Sequence, residues 1–96
     1  MSYFGSNLKL LRKRRARSQA DVAQNLQITR STWSAYENNA AEPNFDTLMK
    51  ISKYFSVPID VFLKEDLYEF SELRLTNLEN GFNVDVSGRK LRVLTS

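Results

Sequence analysis

The residue types that carry out most enzyme chemistry are missing from this 96-residue chain, which has no cysteine and no histidine. It therefore has no thiolate nucleophile, no imidazole base and neither of the commonest protein ligands of zinc. Paired carboxylates remain as candidates, but Glu65-Asp66 lies in what reads as an ordinary charged helix end. We predict a protein that is not an enzyme and uses no cofactor, no metal ion and no small-molecule substrate.

The side chains that could bind a ligand are the cations, and they are unevenly distributed along the chain. Residues 1–40 hold seven Lys and Arg against two acidic residues, a net charge of +5, whereas residues 41–70 hold three against six, a net charge of −3. A basic half of this kind favours a polyanionic partner. Runs such as Lys13-Arg14-Arg15 are often only solvated helix faces, so phosphate contact and plain exposure to water both stay open for them.

Helices must position these cations, and the first is predicted over residues 7–15. Leu8 and Leu11 lie three residues apart, as on one face of a helix, and Ser6 or Asn7 is the expected N-cap. The opposite face of this helix is nearly all cationic.

Two further helices are predicted with a very short connection between them. Ser18, with Asp21 three residues later, forms a capping-box pattern at the start of the second helix. Residues 27–29 then leave room only for a tight turn, and Thr29 is a suitable N-cap for a third helix over residues 30–38. A helix, a short turn and a second helix with a polar face have the dimensions that the DNA major groove admits.

The remainder of the chain is predicted to form scaffold and a short extension. Asn44 is the expected cap of a fourth helix, and a fifth begins near Pro58 and ends near Leu67. After residue 71 the hydrophobic period changes to alternation, which predicts two short strands. Their apolar residues are Phe82, Val84 and Val86 in one strand and Leu91 and Val93 in the other. Asn80-Gly81 and Ser87-Gly88 are both suitable turns, so the strand pairing stays open.

The predicted architecture is therefore all-α, with a five-helix domain in residues 1–70. Residues 71–96 form a C-terminal extension that could be a β-hairpin, a linker or a dimerisation segment. Trp33 and Tyr36, spaced as i and i+3, could be imagined as a base-stacking platform, but we predict that they pack in the core.

Residues 6–67 resemble the phage-repressor and Cro-like (XRE-type) helix-turn-helix domains. The resemblance is carried by Ser18-Gln19, Ala23, Tyr36-Glu37-Asn38, Pro43 and Val57-Pro58-Ile59-Asp60. It implies a bacterial or phage transcription regulator, most often a repressor, that acts in the cytoplasm. It also implies binding as a homodimer to a pseudo-palindromic operator in double-stranded DNA.

The resemblance places base contacts on the first turns of the third helix, at Arg30, Ser31, Ser34 and Ala35. Arg30 is the most informative, because its guanidinium can donate two hydrogen bonds to the O6 and N7 atoms of guanine. Since Ser31 and Ala35 are short, fewer bases are read directly and DNA shape contributes more.

The resemblance also implies contacts to the DNA backbone, with Gln19 at the start of the second helix as the phosphate-clamping residue. The full set of expected backbone contacts is Ser18, Gln19, Thr29, Thr32, Asn38 and Asn39. A structural ion pair between Arg12 and Glu37 is implied as well, so Arg12 is expected to be scaffold.

This chain departs from the family pattern at three places. Ala16 and Arg17 stand where glycine and leucine are usual, Gln27 replaces the turn glycine, and Asn39 replaces the glycine after Glu-Asn. Asparagine tolerates the left-handed conformation better than most residues, so the fold is still expected.

Two alternatives remain for the function and two for the tail. The chain could be an antitoxin-type module whose tail binds a protein partner while the helices bind DNA. RNA binding is disfavoured because exposed aromatics at suitable spacing are lacking.

The tail weakly resembles the linker to a LexA-like self-cleaving peptidase domain, or it adds strands across a two-fold axis in a dimer.

Overall fold

The computed structural model describes residues 3–84 and 90–92, with side chains for residues 3–81. The helices are α1 (Phe4–Arg14), α2 (Gln19–Leu26), α3 (Arg30–Glu37), α4 (Phe45–Phe55), α5 (Ile59–Lys64), a 3-10 turn (Leu67–Glu69) and α6 (Glu72–Glu79). Two short strands follow, β1 (Phe82–Val84) and β2 (Lys90–Arg92). The predicted helical, repressor-type fold is confirmed. None of the helices in the described ranges has the length and apolar character that crossing a bilayer requires.

Three of the helices begin at the N-caps predicted from the sequence. The Ser18 hydroxyl accepts from the Asp21 amide at 3.0 Å, and the Asp21 carboxylate accepts from the Ser18 amide at 3.0 Å. These hydrogen bonds hold the pKa of Asp21 below its ordinary value. The side chains of Thr29 and Asn44 cap α3 and α4 by accepting from the amides of Thr32 and Thr47. Each cap satisfies a backbone N–H that the helix itself leaves unpaired.

The predicted start of the first helix was wrong. The helix begins at Phe4, and its N-cap position is Tyr3, which makes no side-chain capping bond. Asn7 lies inside the helix, where it is fully buried. Its amide nitrogen donates to the carbonyls of Phe62 at 3.0 Å and Glu65 at 2.7 Å, and its oxygen accepts from the Leu67 amide at 3.0 Å. An apparent capping residue is thus a buried bridge from α1 to the end of α5.

The core is a row of aromatic rings on which the helices pack. Trp33 of α3 lies 6.3 Å from Phe55 of α4, Phe55 lies 6.2 Å from Phe62 of α5, and Phe62 lies 6.2 Å from Phe4 of α1, measured between ring centroids. All four rings are at most 1% exposed, and Tyr36 is buried beside Trp33. Trp33 and Tyr36 therefore belong to the core, as predicted, and cannot stack on bases.

Helix α6 was not predicted. Its buried leucines, Leu75 and Leu78, join the same core as the first five helices. Their neighbour Leu73 is exposed, so the leucines of this segment do not form the continuous stripe that marks an amphipathic helix. We attribute the missed helix to this absence of periodicity.

A two-stranded hairpin follows α6, at the position where alternation predicted strands. Phe82 pairs with Arg92, Asn83 with Leu91 and Val84 with Lys90, in antiparallel register. Of the two candidate turns, Ser87-Gly88 falls between the paired strands. This turn and its flanking residues, 85–89, lie outside the described residues. The same holds for the predicted strand residues Val86 and Val93.

Candidate nucleic-acid interface

The turn between α2 and α3 fixes how the third helix leaves the second. Gln27 takes the left-handed conformation with φ of 59°, and Ile28 donates its amide to the Ala23 carbonyl at 3.0 Å. This closes the end of α2 in the manner usually served by glycine. Thr29 then starts α3 immediately, so the two helices form one rigid unit.

The four predicted base-contacting residues lie on one side of α3. Arg30 and Ser31 are exposed, and Ser34 and Ala35 are half-buried. At about 100° per residue, the four positions span an arc of roughly 140°. Trp33, Tyr36 and Glu37 lie on the opposite side of the helix and are buried.

The guanidinium of Arg30 is uncommitted in the described part of the chain. It makes no ion pair and no hydrogen bond there, unlike Arg12, Arg14 and Arg15. An exposed arginine at the start of a helix also lies at the unfavourable end of the helix dipole. Nothing in the described fold explains its presence as scaffold.

The predicted backbone-contacting residues fall into two groups around α3. Ser18, Gln19, Thr29 and Thr32 lie at the starts of α2 and α3, and Asn38 and Asn39 lie just after α3. The Thr29 hydroxyl lies 2.7 Å from that of Thr32, and Asn38 Nδ2 donates to the Ser34 hydroxyl at 3.5 Å. All six are exposed or half-buried, so each can meet a ligand from outside.

The loop after α3 is held against the first helix by a residue that the sequence analysis did not single out. Gly5 donates its amide to Asn39 Oδ1 at 3.1 Å, and Asn39 has a left-handed φ of 56°. A Cβ atom on Gly5 would lie within 2.4 Å of the Glu37 carbonyl and 2.8 Å of the Tyr36 carbonyl. Only glycine lets α1 approach the end of α3 this closely.

Arg12 and Glu37 form the ion pair that the resemblance implied, between α1 and α3. Arg12 Nε lies 2.6 Å from Glu37 Oε2, and Arg12 Nη2 donates to Oε1 at 3.1 Å. Burial raises the pKa of Glu37, but hydrogen bonds from Arg12, Gln19 and Trp33 outweigh it, so the pKa is lowered overall. The carboxylate is therefore charged at neutral pH and fully hydrogen-bonded.

Two cations of the basic run 13–15 serve as scaffold. Arg15 donates to the carbonyls of Tyr54 at 2.6 Å and Phe55 at 2.8 Å at the end of α4, and lies over the Phe55 ring. Arg14 binds Glu79 at 2.6 Å and Glu72 at 2.8 Å on α6. The hydrogen bonds that Arg14 donates to Glu79, and next those to Glu72, raise the pKa of Arg14. Lys13 is exposed.

Within the described residues, no cluster of acidic side chains could hold a metal ion. What α3 offers is hydrogen-bond donors and, in Arg30, an uncommitted cation on a convex helix face. Such a surface suits a ligand with a groove and with acceptor atoms.

Residues 5–67 match the family model described as "Helix-turn-helix domain". The chain is 39% identical over 66 residues to the uncharacterized HTH-type transcriptional regulator YqaE of Bacillus subtilis (strain 168), which covers 69% of this chain and 57% of that protein. It is 34% identical over 95 residues to the SPbeta prophage-derived uncharacterized HTH-type transcriptional regulator YonR of the same strain, covering 95% of this chain and 88% of that protein.

A third relative is the cryptic phage CTXphi transcriptional repressor RstR of Vibrio cholerae, 34% identical over 56 residues, or 58% of this chain and 50% of that protein. The chain thus spans little more than half the length of YqaE and half that of RstR. No solved structure matches it significantly.

Proposed function

The chain belongs to the XRE-like helix-turn-helix family, a family of transcription regulators and not of enzymes, and on that premise we propose that it binds an operator in double-stranded DNA and represses transcription. The exposed face of α3 enters the major groove, where Arg30 donates to a guanine and Ser31, Ser34 and Ala35 lie against neighbouring base edges. The observation that carries the proposal is the exposed and unpaired state of Arg30 beside a buried opposite face.

The backbone on either side of the groove is bound by the two groups of polar residues that flank α3. Ser18, Gln19, Thr29 and Thr32 meet one strand, and Asn38 and Asn39 meet the other. This arrangement is supported by the placement of one group at the starts of α2 and α3 and of the other just after α3.

We further propose that the protein binds as a homodimer, with two α3 helices about 34 Å apart in successive major grooves of a pseudo-palindromic site. The compartment would be the cytoplasm, where bacterial and phage operators are. Repression as the sign of regulation is supported by the relative RstR, a transcriptional repressor.

Selection of bound duplexes from a random DNA pool tests this function. We expect an enriched inverted repeat whose half-site centres lie about one helical turn apart, and an affinity that falls steeply with salt as phosphate contacts release counterions. A pool with no enriched sequence, or an affinity that does not depend on salt, would contradict it. A reporter gene placed behind the selected site then gives the sign, and increased expression would contradict repression.

The alternative function, an antitoxin whose extension binds a protein partner, makes the same DNA prediction for α3. It differs in requiring residues 71–96 to bind a second protein. Since the exposed face of α3 is accounted for without such a partner, we retain the regulator as the proposal.

A further inference from the structure

The carboxylate of Glu37 is shared between three helices. Its Oε2 atom accepts from Arg12 Nε of α1 at 2.6 Å and from Trp33 Nε1 of α3 at 2.5 Å. Its Oε1 atom accepts from Arg12 Nη2 at 3.1 Å and from Gln19 Nε2 of α2 at 3.1 Å. The side chain is 2% exposed, so Glu37 itself cannot contact DNA.

The bond to Gln19 decides which way its side-chain amide faces. A carboxylate can only accept, so the amide nitrogen must lie towards Glu37, and the reverse orientation would place two acceptor oxygens against each other. An amide nitrogen carries two hydrogens. One is donated to Glu37, and the second is without a partner in the described residues, on a side chain that is only half-buried.

The backbone next to Gln19 is fixed by the same network. Arg12 Nη1 donates to the carbonyl of Arg17 at 2.9 Å, immediately before the capping box that starts α2. Arg12 therefore fixes the chain in front of Gln19, while Glu37 fixes its side chain. Glu37 in turn accepts from Trp33, on the buried side of the base-reading helix.

From these contacts we propose that Glu37 is a positioning residue for DNA binding: it holds the Gln19 amide so that the free N–H donates to a DNA phosphate. The proposal rests on the proposed function and adds a role for Glu37 beyond the ion pair. Because the amide is already immobilised, little rotamer freedom is lost on binding. The distance from the phosphate donor to the base-reading face of α3 is also set before DNA arrives.

Affinity for the duplex selected from the random pool tests the coupling. Gln19→Ala should weaken binding roughly tenfold to a hundredfold, the range for a hydrogen bond to a charged group. Glu37→Gln should weaken it about threefold to tenfold, measured where circular dichroism shows the variant folded. The double variant should bind within about twofold of Gln19→Ala, because the two residues act through one contact.

A control separates positioning from stability. Asn7→Ala removes a different buried hydrogen-bond bridge, between α1 and the end of α5, and should lower the melting temperature without changing affinity in the folded state. Ethylation interference gives a second readout: among the phosphates whose ethylation blocks the wild type, one per half-site should lose that effect in Gln19→Ala, and its effect should weaken in Glu37→Gln.

The outcomes distinguish this proposal from the function on which it depends. A wild type that selects no DNA overturns both. A wild type that binds while folded Glu37→Gln binds equally well, or loses affinity additively with Gln19→Ala, overturns the positioning role alone. Should Glu37→Gln not fold, ¹⁵N relaxation of the Gln19 side-chain amide in the unmodified protein decides: an amide as ordered as the helix backbone supports the proposal, and a freely rotating one overturns it.

Discussion

At the residue scale, the arginines of this chain divide into scaffold and surface. Arg12, Arg14 and Arg15 each bind carboxylates or carbonyls on other helices. Arg30 binds nothing in the described ranges. Since an arginine fork recognises guanine through two parallel hydrogen bonds, the uncommitted guanidinium of Arg30, on the exposed side of α3, is the side chain best placed for specific DNA recognition.

Arg30→Ala should therefore cost about 1–3 kcal/mol of binding free energy on the selected operator and little on random DNA. Fluorescence anisotropy with the two duplexes at one salt concentration measures the difference. Lys13→Ala is the matched control, because Lys13 is an exposed cation on α1. It should leave the difference in affinity between the operator and random DNA unchanged. If Arg30→Ala lost the same binding free energy on both duplexes, Arg30 would contact phosphate and not a base.

Glu37 should give the protein a measurable dependence of stability on acid. Its pKa in the folded state is lowered, so the stabilisation is complete above the unfolded pKa and is lost as the pH falls through the folded pKa. Thermal unfolding followed from pH 7 to pH 3 should show stability falling below about pH 4.3, the ordinary pKa of glutamate.

Glu37→Gln should show a smaller acid dependence and, at pH 7, a loss of about 3–5 kcal/mol because Arg12 is left buried without a charged partner. Identical pH profiles for the two proteins, or an unchanged melting temperature at pH 7, would refute the role of the pair. Asp21 also has a lowered pKa and is exposed. Because it is present in both proteins, its contribution to the acid dependence of stability cancels when the two are compared.

Of the contacts within the chain, two were predictable: one between partners near in sequence and one implied by the resemblance. The Ser18–Asp21 box is local, and the Arg12–Glu37 pair came from the family pattern. Arg14 could not be placed in the same way, because its partners are 58 and 65 residues away. Whether such a cation meets phosphate or carboxylate depends on tertiary packing.

At the element scale, four non-glycine residues in the described part of the chain have left-handed backbones, and each lies within two residues of the end of a helix. Ala16, in the connection between α1 and α2, has φ of 54° and is exposed. This is one of the positions where the sequence departs from the family's glycine-leucine pattern. An L-residue there is strained by about 1–2 kcal/mol.

Ala16→Gly should consequently raise the free energy of unfolding by about 0.5–1 kcal/mol, after the greater chain entropy of glycine is subtracted. Ala20→Gly, an exposed position inside α2, should lower it by about 1 kcal/mol. Urea unfolding of both variants gives opposite shifts of the midpoint if the backbone is as described. Two shifts of the same sign would show that Ala16 is not strained.

Helix α6 is anchored to α1 by Arg14, and its two acidic partners are not equivalent. The Glu79 side chain is 17% exposed, whereas that of Glu72 is 79% exposed. Glu79→Gln should cost about 1–2 kcal/mol, and Glu72→Gln less than about 0.5 kcal/mol, because water and salt screen an exposed pair. Thermal unfolding of the two variants side by side measures this; equal losses would contradict the contrast in burial.

The elements were predictable wherever cap chemistry and apolar periodicity agreed, as in α2, α3 and α4. The start of α1 was misplaced because Asn7 has the residue type of a cap while its side chain serves a contact 55 to 60 residues away. Helix α6 was not predicted because its sequence lacks a continuous apolar stripe, and only tertiary packing buries Leu75 and Leu78.

At the scale of the whole molecule, the charge asymmetry seen in the sequence acquires a partial explanation. Several bases of the first 40 residues neutralise carboxylates or cap helices in the core, so the net charge of that segment overstates the surface available to DNA. Of the bases that stay exposed in this segment, Arg17 and Arg30 lie at the starts of α2 and α3, and Lys9 and Lys13 lie on α1. Specific recognition, more than bulk charge, is what this surface supports.

Residues 82–96 are the segment to remove in testing the proposed dimer. Truncation after residue 70 would take Leu75 and Leu78 out of the core, so a chain ending at Gly81 is the cleaner variant. Sedimentation equilibrium should find a dimer for the full chain and a monomer for the shortened one. The reason is that a hairpin of two three-residue strands is marginally stable alone and gains stability by pairing with the strands of a second copy. A shortened chain that remains dimeric would place the interface elsewhere.

The central claim is that the exposed side of α3 is the surface that meets DNA, and backbone amide NMR of the protein titrated with the selected duplex tests it most directly. We predict that the shifted resonances cluster at residues 17–20, 29–35 and 38–39, with those of α5 and the 3-10 turn nearly unmoved. Shifts concentrated on α5 and the 3-10 turn, with Arg30, Ser31 and Ser34 unaffected, would contradict the account.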